Sequence, residues 1–313
     1  TFLELFHALE TYPGNQLCCV IDDNEYDYRT LVFQAKGLAS YLQQIGVSKG
    51  DRVAVWLPNS FEWVVALLAV GKIGAILVPL NSRFKDLDAK YVLSHSKSKV
   101  LITQSSFLNY NYREMVLAWK KQSAQGFESE VLPALKHLIW VGEDVPPEAV
   151  RWNAAIAHQG GGQQTELGQN DPVLIQYTSG TTSFPKGVLL THYGVLHNAY
   201  NVGVRMHITP EDKVFSGGPF FHIGGVTMQV LLSLIFAVPF YTLSFFSPEA
   251  ALALVKKYKC TTYSGIDSLF LLLMDLNTFR KEDFASVRTG WTTGSPEIVK
   301  LIREKMGIDD ILC

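Results

Sequence analysis

One short segment of the sequence combines residue types that bind anions. Residues 177–187 read YTSGTTSFPKG, so that six small or hydroxylated residues and one lysine, Lys186, lie between two apolar runs. Such a turn directly after a strand can surround an anion with backbone N–H groups and hydroxyls, because no bulky side chain blocks the approach. The lysine adds a point charge that suits phosphate. The segment therefore predicts a phosphate-binding loop, with a solvated turn as the alternative.

A Walker A loop, G-x-x-x-x-G-K-[ST], is the first comparison for a segment of this kind. The sequence departs from it at two positions. Pro185 stands directly before Lys186, and Gly187 occupies the place of the Ser or Thr that would hold magnesium. The segment therefore argues against a P-loop kinase or GTPase.

Strands and helices alternate on both sides of this loop. We predict strands and helices, in chain order, at Val53–Pro58 (strand), Phe61–Ala75 (helix, capped by Asn59 and Ser60), Ile76–Leu80 (strand), Asp86–Ser96 (helix), Lys99–Thr103 and His137–Gly142 (strands), near Phe240 (strand), Ser247–Tyr258 (helix), near Thr261 (strand) and from Ser268 (helix). This alternation predicts an α/β protein with a mostly parallel, doubly wound sheet. The glycine- and glutamine-rich segment Ala157–Pro172 is interpreted as a surface loop, with a domain boundary as the alternative.

Composition and charge restrict the class of protein. The 313 residues are 48% hydrophobic and 18% charged, which is typical of a globular chain, and the net charge of −2 argues against a general nucleic-acid binder. The four cysteines lack metal-ligand spacing and are expected to be reduced thiols of a cytoplasmic protein: Cys18, Cys19, Cys260 and Cys313.

One uncharged segment, Val226–Phe246, is long enough to span a membrane. Pro239 interrupts it, and its second half is rich in the β-branched and aromatic residues of strands. We therefore predict a buried helix over Val226–Phe236 and a buried strand over Phe240–Phe245, with a membrane span as the alternative.

The order of residues in 177–187 resembles Y-T-S-G-T-T-G-x-P-K-G, the phosphate-loop signature of the adenylate-forming enzymes. The resemblance covers nearly the whole chain. Further segments that carry it are YDYRTLVFQAKGLASYLQQIGVSKGDRVAVWLPNS, LLAVGKIGAILVPLNSR, PFFHIGG and RTGWTTGSP. The residues of these segments are most similar to those of the fatty acyl-CoA synthetases.

The resemblance implies a fold, a reaction and cofactors. The fold is two doubly wound, mostly parallel sheets packed with helices as αβαβα layers. Residues 51–205 would form a subdomain with the phosphate loop, and residues 206–313, with 1–50 packed on them, a second one with the acyl and adenine segments. The reaction joins a carboxylic acid to coenzyme A at the expense of ATP, which is bound with Mg²⁺, and it proceeds through an acyl-adenylate, with AMP and pyrophosphate as products.

The resemblance also implies site residues, and none of them is a metal ligand. The phosphates would be contacted by Thr178, Ser179, Gly180, Thr181, Thr182 and Lys186, of which Thr182 and Lys186 are assigned to catalysis. His222 is also assigned to catalysis, where it would position the substrate carboxylate rather than act as an acid or base, and a core histidine is the alternative. The acyl tunnel would be lined by Phe221, His222, Gly225, Gly265 and Ile266, against the alternative of a plain apolar core. The adenine would lie against Gly294, Ser295 and Pro296, against the alternative of a glycine turn without function.

The resemblance also bears on the substrate, because the peptide-synthetase members of the superfamily need an aspartate in this motif to pair with the amine of an amino acid. The segment PFFHIGG holds no carboxylate, so a plain carboxylic acid is expected. The apolar run after Gly225 suits a fatty chain, whose length the sequence does not give. A cytoplasmic location without a membrane span follows, and peripheral contact with a membrane and the oligomeric state stay open.

The sequence departs from the family pattern at two positions. Ser183 stands where glycine is usual, and Asp267 stands where the fatty acyl ligases have proline. A carboxylate beside an acyl tunnel is unexpected, and Asp267 is interpreted as the cap of the helix from Ser268.

The chain stops at Cys313, before the point where the family continues to its Tyr-Gly-x-Thr-Glu motif and its C-terminal domain. We therefore expect a fragment of the N-terminal domain with little or no ligase activity by itself. The alternative is a non-catalytic module of the same fold that binds nucleotide or acyl groups.

Overall fold

The computed structural model describes residues 1–121, 126–158, 160, 165–178 and 185–313. These residues form two compact units. The first consists of Thr1–Thr11 and Arg29–Gly194, and the second of Tyr12–Tyr28 and Val195–Cys313.

The strands, in chain order, are β1 (Leu17–Ile21), β2 (Asn24–Asp27), β3 (Arg52–Trp56), β4 (Ile76–Pro79), β5 (Val100–Gln104), β6 (Ser106–Phe107), β7 (Tyr110–Asn111), β8 (His137–Val141), β9 (Val150–Arg151), β10 (Pro172–Thr178), β11 (Lys186–Thr191), β12 (Val214–Ser216), β13 (Phe240–Thr242), β14 (Thr262–Ser264), β15 (Thr289–Trp291) and β16 (Asp310–Leu312). The α-helices are α1 (Phe2–Thr11), α2 (Tyr28–Gln44), α3 (Phe61–Lys72), α4 (Asp86–Ser96), α5 (Tyr112–Ala118), α6 (Trp152–Ile156), α7 (His192–Arg205), α8 (Ile223–Gly225), α9 (Leu232–Phe236), α10 (Pro248–Tyr258), α11 (Asp267–Met274) and α12 (Pro296–Met306). A π-helix covers Val226–Leu231 and a 3₁₀-helix covers Lys281–Phe284.

The first unit is built on a sheet with the strand order β11-β10-β4-β3-β5-β8-β9. Its strand pairs are parallel except for the antiparallel hairpin of β10 and β11. Residues 53–56 of β3 are buried on both faces of the sheet, which agrees with the unbroken apolar run of the sequence. The aromatic rings of Trp56 and Trp140 lie in the core of this unit.

Helix α3 shows how local sequence signals set the bounds of an element. Ser60, rather than Asn59, caps the helix, because its hydroxyl accepts the N–H of Trp63 at 3.2 Å. The predicted end at Ala75 is wrong. Gly74 adopts a left-handed φ of 73°, which ends the helix before β4 begins at Ile76.

The second unit is built on a sheet with the strand order β16-β15-β14-β12-β13-β1-β2. Only the pair β1–β2 is antiparallel in this sheet. Two mostly parallel sheets with helices confirm the predicted α/β fold class. Strand β1 pairs with β13 through Cys19 and Phe240, which places Tyr12–Tyr28 in this unit.

The expectation that all of residues 1–50 pack on the second subdomain is wrong for most of them. Thr1–Thr11 and the chain from Arg29 onward belong to the first unit. Two glycines explain why, because each allows a helix to approach without an intervening side chain. A Cβ at Gly71 of α3 would lie 2.4 Å from the ring of Phe2, and one at Gly37 of α2 would lie 1.7 Å from the carbonyl oxygen of Ile156. The described residues of the segment Ala157–Pro172 belong to the first unit.

The uncharged segment Val226–Phe246 folds as a helix followed by a strand. Helical turns continue to Phe236, Ala237 then adopts a left-handed φ of 55°, and β13 follows after Pro239. The prediction of a buried helix and a buried strand is confirmed, although the strand ends at Thr242. Within the described ranges, no helix combines the length and the apolar character that crossing a membrane requires.

Candidate active site

The predicted phosphate loop connects the two strands of the antiparallel hairpin. Thr178, the last residue of β10, is the cross-strand partner of Lys186, the first residue of β11. Both side chains are exposed. The other predicted phosphate contacts, Ser179, Gly180, Thr181 and Thr182, and the departure at Ser183, lie outside the described residues. The structure therefore places Thr178 and Lys186, the first and last predicted phosphate contacts, opposite each other, and the ammonium group of Lys186 is exposed.

Close packing on Gly187 fixes the strand directly after Lys186. A Cβ at Gly187 would lie 3.0 Å from Ile175 Cγ2 and 3.2 Å from Cζ of Tyr177. Both neighbours are side chains of β10, so a larger residue at this position would have to displace them by a few tenths of an ångström. This close approach explains the glycine after the lysine in physical terms.

The predicted site residues of the second unit follow the carboxyl ends of neighbouring parallel strands. His222 follows β12, Gly265 follows β14 and Gly294 follows β15, and these three strands are adjacent in the sheet. The carboxyl ends of parallel strands meet at one edge of a sheet, which is the usual place of a ligand site in α/β proteins. The fold therefore brings together the predicted acyl and adenine segments.

His222 lies at this edge with one ring nitrogen engaged. It is the N-cap of α8, and its Nδ1 accepts the N–H of Gly224 at 3.2 Å. The side chain is exposed, so it is not the satisfied core histidine of the alternative interpretation. Its Nε2 makes no hydrogen bond to any residue that the structure describes. The cap thus orients the ring and leaves one nitrogen for a ligand.

Gly225 and its neighbour Gly224 permit two close approaches next to His222. A Cβ at Gly225 would lie 2.2 Å from the carbonyl oxygen of Pro219, and one at Gly224 would lie 3.2 Å from the indole of Trp291. Phe221 beside them is half-buried. Packing against backbone therefore requires the glycine at position 225, whereas a Cβ at position 224 would press on the indole.

The acyl and adenine segments are joined by backbone and side-chain hydrogen bonds. The N–H of Gly265 donates to the carbonyl of Trp291 at 3.0 Å, and Gly265 forms a parallel bridge with Thr292. Ile266 projects to the surface with 47% of its area exposed. Asp267 is the first residue of α11, whose cap is Ile266, so the interpretation of Asp267 as the helix cap is wrong.

Trp291, Thr292 and Asp267 contact predicted site residues or one another, and sequence reasoning did not assign them to the candidate site. Trp291 is 5% exposed, and the edge of its six-membered ring contacts the turn that His222 caps. Thr292 is 3% exposed. Trp291 and Thr292 lie inside the segment RTGWTTGSP, but only the contacts across the sheet edge show what each of them touches.

The residues predicted to contact adenine lie at the amino end of α12. Ser295 is the N-cap and Pro296 the first helical residue, and both are exposed. The N–H of Gly294 donates to Thr292 Oγ1 at 3.2 Å. The amino end of a helix carries free N–H groups and a partial positive charge, which suits an anionic or polar ligand.

Two buried polar groups hold the strands that carry this edge. Gln229, on the π-helix, donates to the carbonyls of Tyr241 and Ser216 at 3.0 and 3.3 Å, and so ties the ends of β12 and β13. Asp212 is 3% exposed and accepts hydrogen bonds from Arg288 Nε at 3.0 Å and from Thr261 Oγ1 at 2.6 Å. Burial opposes its ionisation, but these hydrogen bonds hold the pKa of Asp212 below its ordinary value.

The sequence matches the AMP-binding enzyme family over residues 5–310, and the chain belongs to that family. Among curated relatives, it is 32% identical to YngI of Bacillus subtilis, which is named as an acyl-CoA synthetase, over 98% of the chain and 59% of that protein. It is 27% identical to the mitochondrial medium-chain acyl-CoA ligase ACSF2 of Mus musculus, over 97% of the chain and 52% of that protein. The chain thus spans between half and three fifths of the length of these relatives.

Solved structures share the fold. The anthranilate CoA ligase AuaEII in complex with anthranoyl-AMP superposes with a TM-score of 0.86 at 21% identity, over 100% of this chain and 60% of that one. A Mycobacterium tuberculosis fatty acyl CoA synthetase superposes with a TM-score of 0.77 at 22% identity, over 97% of this chain and 57% of that one. The family match confirms the predicted superfamily, and the solved structures confirm its fold.

Proposed function

We propose that the protein containing this chain is an ATP-dependent acid–CoA ligase that activates a fatty acid through an acyl-adenylate. Membership of the AMP-binding enzyme family and relatives named as acyl-CoA synthetases or ligases support this class of reaction. The observation that carries the proposal is the exposed Lys186 beside Thr178, at the mouth of a loop of small, hydroxylated residues. A medium or long acyl chain is the finer part of the proposal.

In the first half-reaction, a carboxylate oxygen of the acid attacks the α-phosphorus of ATP. The new acyl–phosphate bond replaces the bond to the β-phosphate, and pyrophosphate leaves. Both reactants are anions, so positive charge must be held where they meet. Lys186 would supply that charge to the leaving phosphates, and the hydroxyl of Thr178 and the predicted donors Ser179, Gly180, Thr181 and Thr182 would complete their cradle.

The second unit would bind the other groups. His222 Nε2 would orient the substrate carboxylate rather than transfer a proton, while Phe221, Gly225, Gly265 and Ile266 would line the acyl chain. Gly294, Ser295 and Pro296 would lie against the adenine. In the second half-reaction, the thiol sulfur of coenzyme A attacks the acyl carbonyl, a thioester forms and AMP leaves.

Magnesium belongs to the proposal as the companion of ATP. Over the part of the chain that the structure describes, no three His, Cys, Asp or Glu side chains lie close enough to hold a metal ion. The ion would be bound by the phosphate oxygens of ATP. A cytoplasmic location is proposed, with peripheral membrane contact as the open alternative.

Exchange of pyrophosphate into ATP tests the first half-reaction. It is measured with acids from acetate to palmitate, on the 313-residue chain and on the longest product of its gene. Lys186→Met is expected to lower the rate about 100-fold, since one preorganised charge contributes on that order to a reaction of anions. The exposed Lys136, which directly precedes β8, provides the control, and Lys136→Met is expected to leave the rate unchanged.

The outcome separates the ligase from the alternative. Exchange that depends on an acid and on Lys186 supports the ligase. The chain length of the acid with the highest rate then indicates the length of the acyl site. ATP binding without exchange in either protein would overturn the proposal and favour a non-catalytic binding module.

A further inference from the structure

Two side chains of one helix are bonded to the two ends of the phosphate loop. The hydroxyl of Tyr91 donates to the carbonyl oxygen of Pro185 at 2.9 Å. Nδ1 of His95 lies 2.8 Å from the hydroxyl of Tyr177. Pro185 directly precedes Lys186, and Tyr177 directly precedes Thr178, so each bond acts one residue away from a predicted phosphate contact.

Helical geometry places both side chains on one face of α4. Tyr91 and His95 are four residues apart, which is about one helical turn, and their rings stack with centroids 5.5 Å apart at 19°. The ring of Tyr177 meets His95 edge-on at 5.7 Å and Tyr91 at 6.5 Å. A single rigid helix therefore sets the distance between the two ends of the loop.

The far side of the Tyr177 ring is also fixed. Gly187 leaves room for it, since a Cβ there would lie 3.2 Å from Cζ of Tyr177. Burial raises the pKa of Tyr177 to about 12, so its hydroxyl stays protonated at neutral pH. The ring thus stands between α4 and the strand that begins with Lys186.

We propose that Tyr91 and His95 are positioning residues, which hold the two ends of the loop so that Thr178 and Lys186 can bind the phosphates of ATP together. The inference rests on the proposed function, since it assigns these residues to the same phosphate site. His95 is exposed and Tyr91 is half-buried, so neither polar contact is needed to fill the core. The two contacts meet the chain at Pro185 and Tyr177, the residues next to Lys186 and Thr178.

Three variants test the proposal, and each removes one hydrogen-bonding group but keeps an aromatic ring: Tyr91→Phe, His95→Phe and Tyr177→Phe. Calorimetric titration of the 313-residue chain with ATP is expected to show a Kd about three- to ten-fold higher for each variant, which corresponds to the loss of one hydrogen bond. His95→Asn restores a polar atom near the position of Nδ1 and is expected to recover most of the affinity. The exposed Tyr200, which stacks on Phe236 in the second unit, provides the control variant Tyr200→Phe.

A second measurement needs no nucleotide. Hydrogen exchange of the peptides that contain Tyr177 and Gly187 is expected to be faster in Tyr91→Phe and His95→Phe than in the wild type, while exchange in the core strand β3 stays unchanged. A merely structural role would instead lower the midpoint of thermal unfolding and accelerate exchange throughout the unit.

The results separate the inference from the proposed function. Wild-type affinity for ATP in all three variants would overturn the inference and leave the proposed function intact. A wild-type chain that does not bind ATP would overturn the phosphate role of Tyr91 and His95 together with the proposed site. Higher Kd values with unchanged thermal midpoints, and recovery by Asn, would support the inference.

Discussion

The carboxylate of Asp267 accepts a hydrogen bond from the hydroxyl of Thr292, with Oδ1 and Oγ1 3.3 Å apart. Thr292 Oγ1 in turn accepts the N–H of Gly294 at 3.2 Å. The turn after β14 and the turn after β15 therefore share one chain of hydrogen bonds. This relationship gives Asp267 a structural task at a position where a carboxylate was unexpected, namely to hold the segment predicted to contact adenine.

Gly294→Ala is expected to lower the free energy of unfolding by about 1–3 kcal/mol, the usual cost of overpacking. The new Cβ would lie 2.8 Å from Asp267 Oδ1 and 3.0 Å from Ile298 Cγ2. Urea denaturation followed by circular dichroism measures the change. Gly168→Ala is the matched control, since its Cβ would be 3.4 Å or more from any neighbour, and it is expected to be nearly neutral.

The double variant Asp267→Ala with Gly294→Ala tests the contact itself. Removal of the carboxylate relieves the 2.8 Å approach. The losses of free energy of unfolding in the two single variants are therefore expected to sum to more than the loss in the double variant. Strict additivity would mean that Asp267 and Gly294 do not touch in solution.

His222→Asn and His222→Ala are expected to differ in stability but not in function. Asparagine is a good N-cap and can accept the N–H of Gly224 as Nδ1 does, whereas alanine loses the cap at a cost of about 1 kcal/mol. Neither residue replaces Nε2. Both variants are therefore expected to raise KM for the acid in the exchange assay, and an unchanged KM in His222→Asn would remove this histidine from the acid site.

Arg288→Met is expected to lower the free energy of unfolding by about 2 kcal/mol, because it leaves the buried Asp212 without its cationic partner. The value is below the roughly 3–5 kcal/mol of a fully buried pair, since 39% of the Arg288 side chain is exposed. The pair Lys300 and Glu304 on α12 serves as the control, because both side chains are largely exposed, and Lys300→Met is expected to change stability little. Equal effects of the two substitutions in urea denaturation would contradict this ranking.

His192 is expected to make stability depend on pH. Its side chain is fully buried and its Nδ1 accepts the N–H of Phe2 at 3.2 Å. Burial lowers the pKa of His192 to about 4, against about 6.5 in an unfolded chain. The unfolded chain therefore binds the extra proton first, so the free energy of unfolding is highest above pH 6.5 and falls by at most about 3 kcal/mol as the pH approaches 4.

Urea denaturation between pH 4.5 and 7 measures this dependence in the wild type and in His192→Asn. The asparagine offers an acceptor to Phe2 but does not titrate, so the slope of stability against pH should become smaller. His197→Asn, at an exposed position of α7, should keep the wild-type slope. A wild-type slope in His192→Asn would mean that other groups cause the dependence.

Much of the fold could be predicted because its signals are local. Helix α4 has the predicted bounds, and the apolar strands β3, β4 and β8 begin within one residue of their predicted starts. Alternation of such elements was enough to predict the α/β class. Which unit residues 1–50 belong to could not be predicted in this way. It depends on contacts between distant segments, because Gly71 lets Phe2 pack on α3 and Gly37 lets α2 approach Ile156.

The sequence by itself determined the residue types of the candidate site: the lysine after a run of small residues, the histidine after two phenylalanines and the glycine-rich turn. These are patterns of neighbours along the chain, so they are readable without a structure. Only the tertiary structure decided that Asp267 holds Thr292 and that Tyr91 and His95 reach Pro185 and Tyr177. These partners are 25 to 94 residues apart in the chain, and local sequence preferences do not determine which distant residues form a pair. Hydrogen bonds of this kind form only after the packing of strands and helices has brought the side chains within about 3 Å.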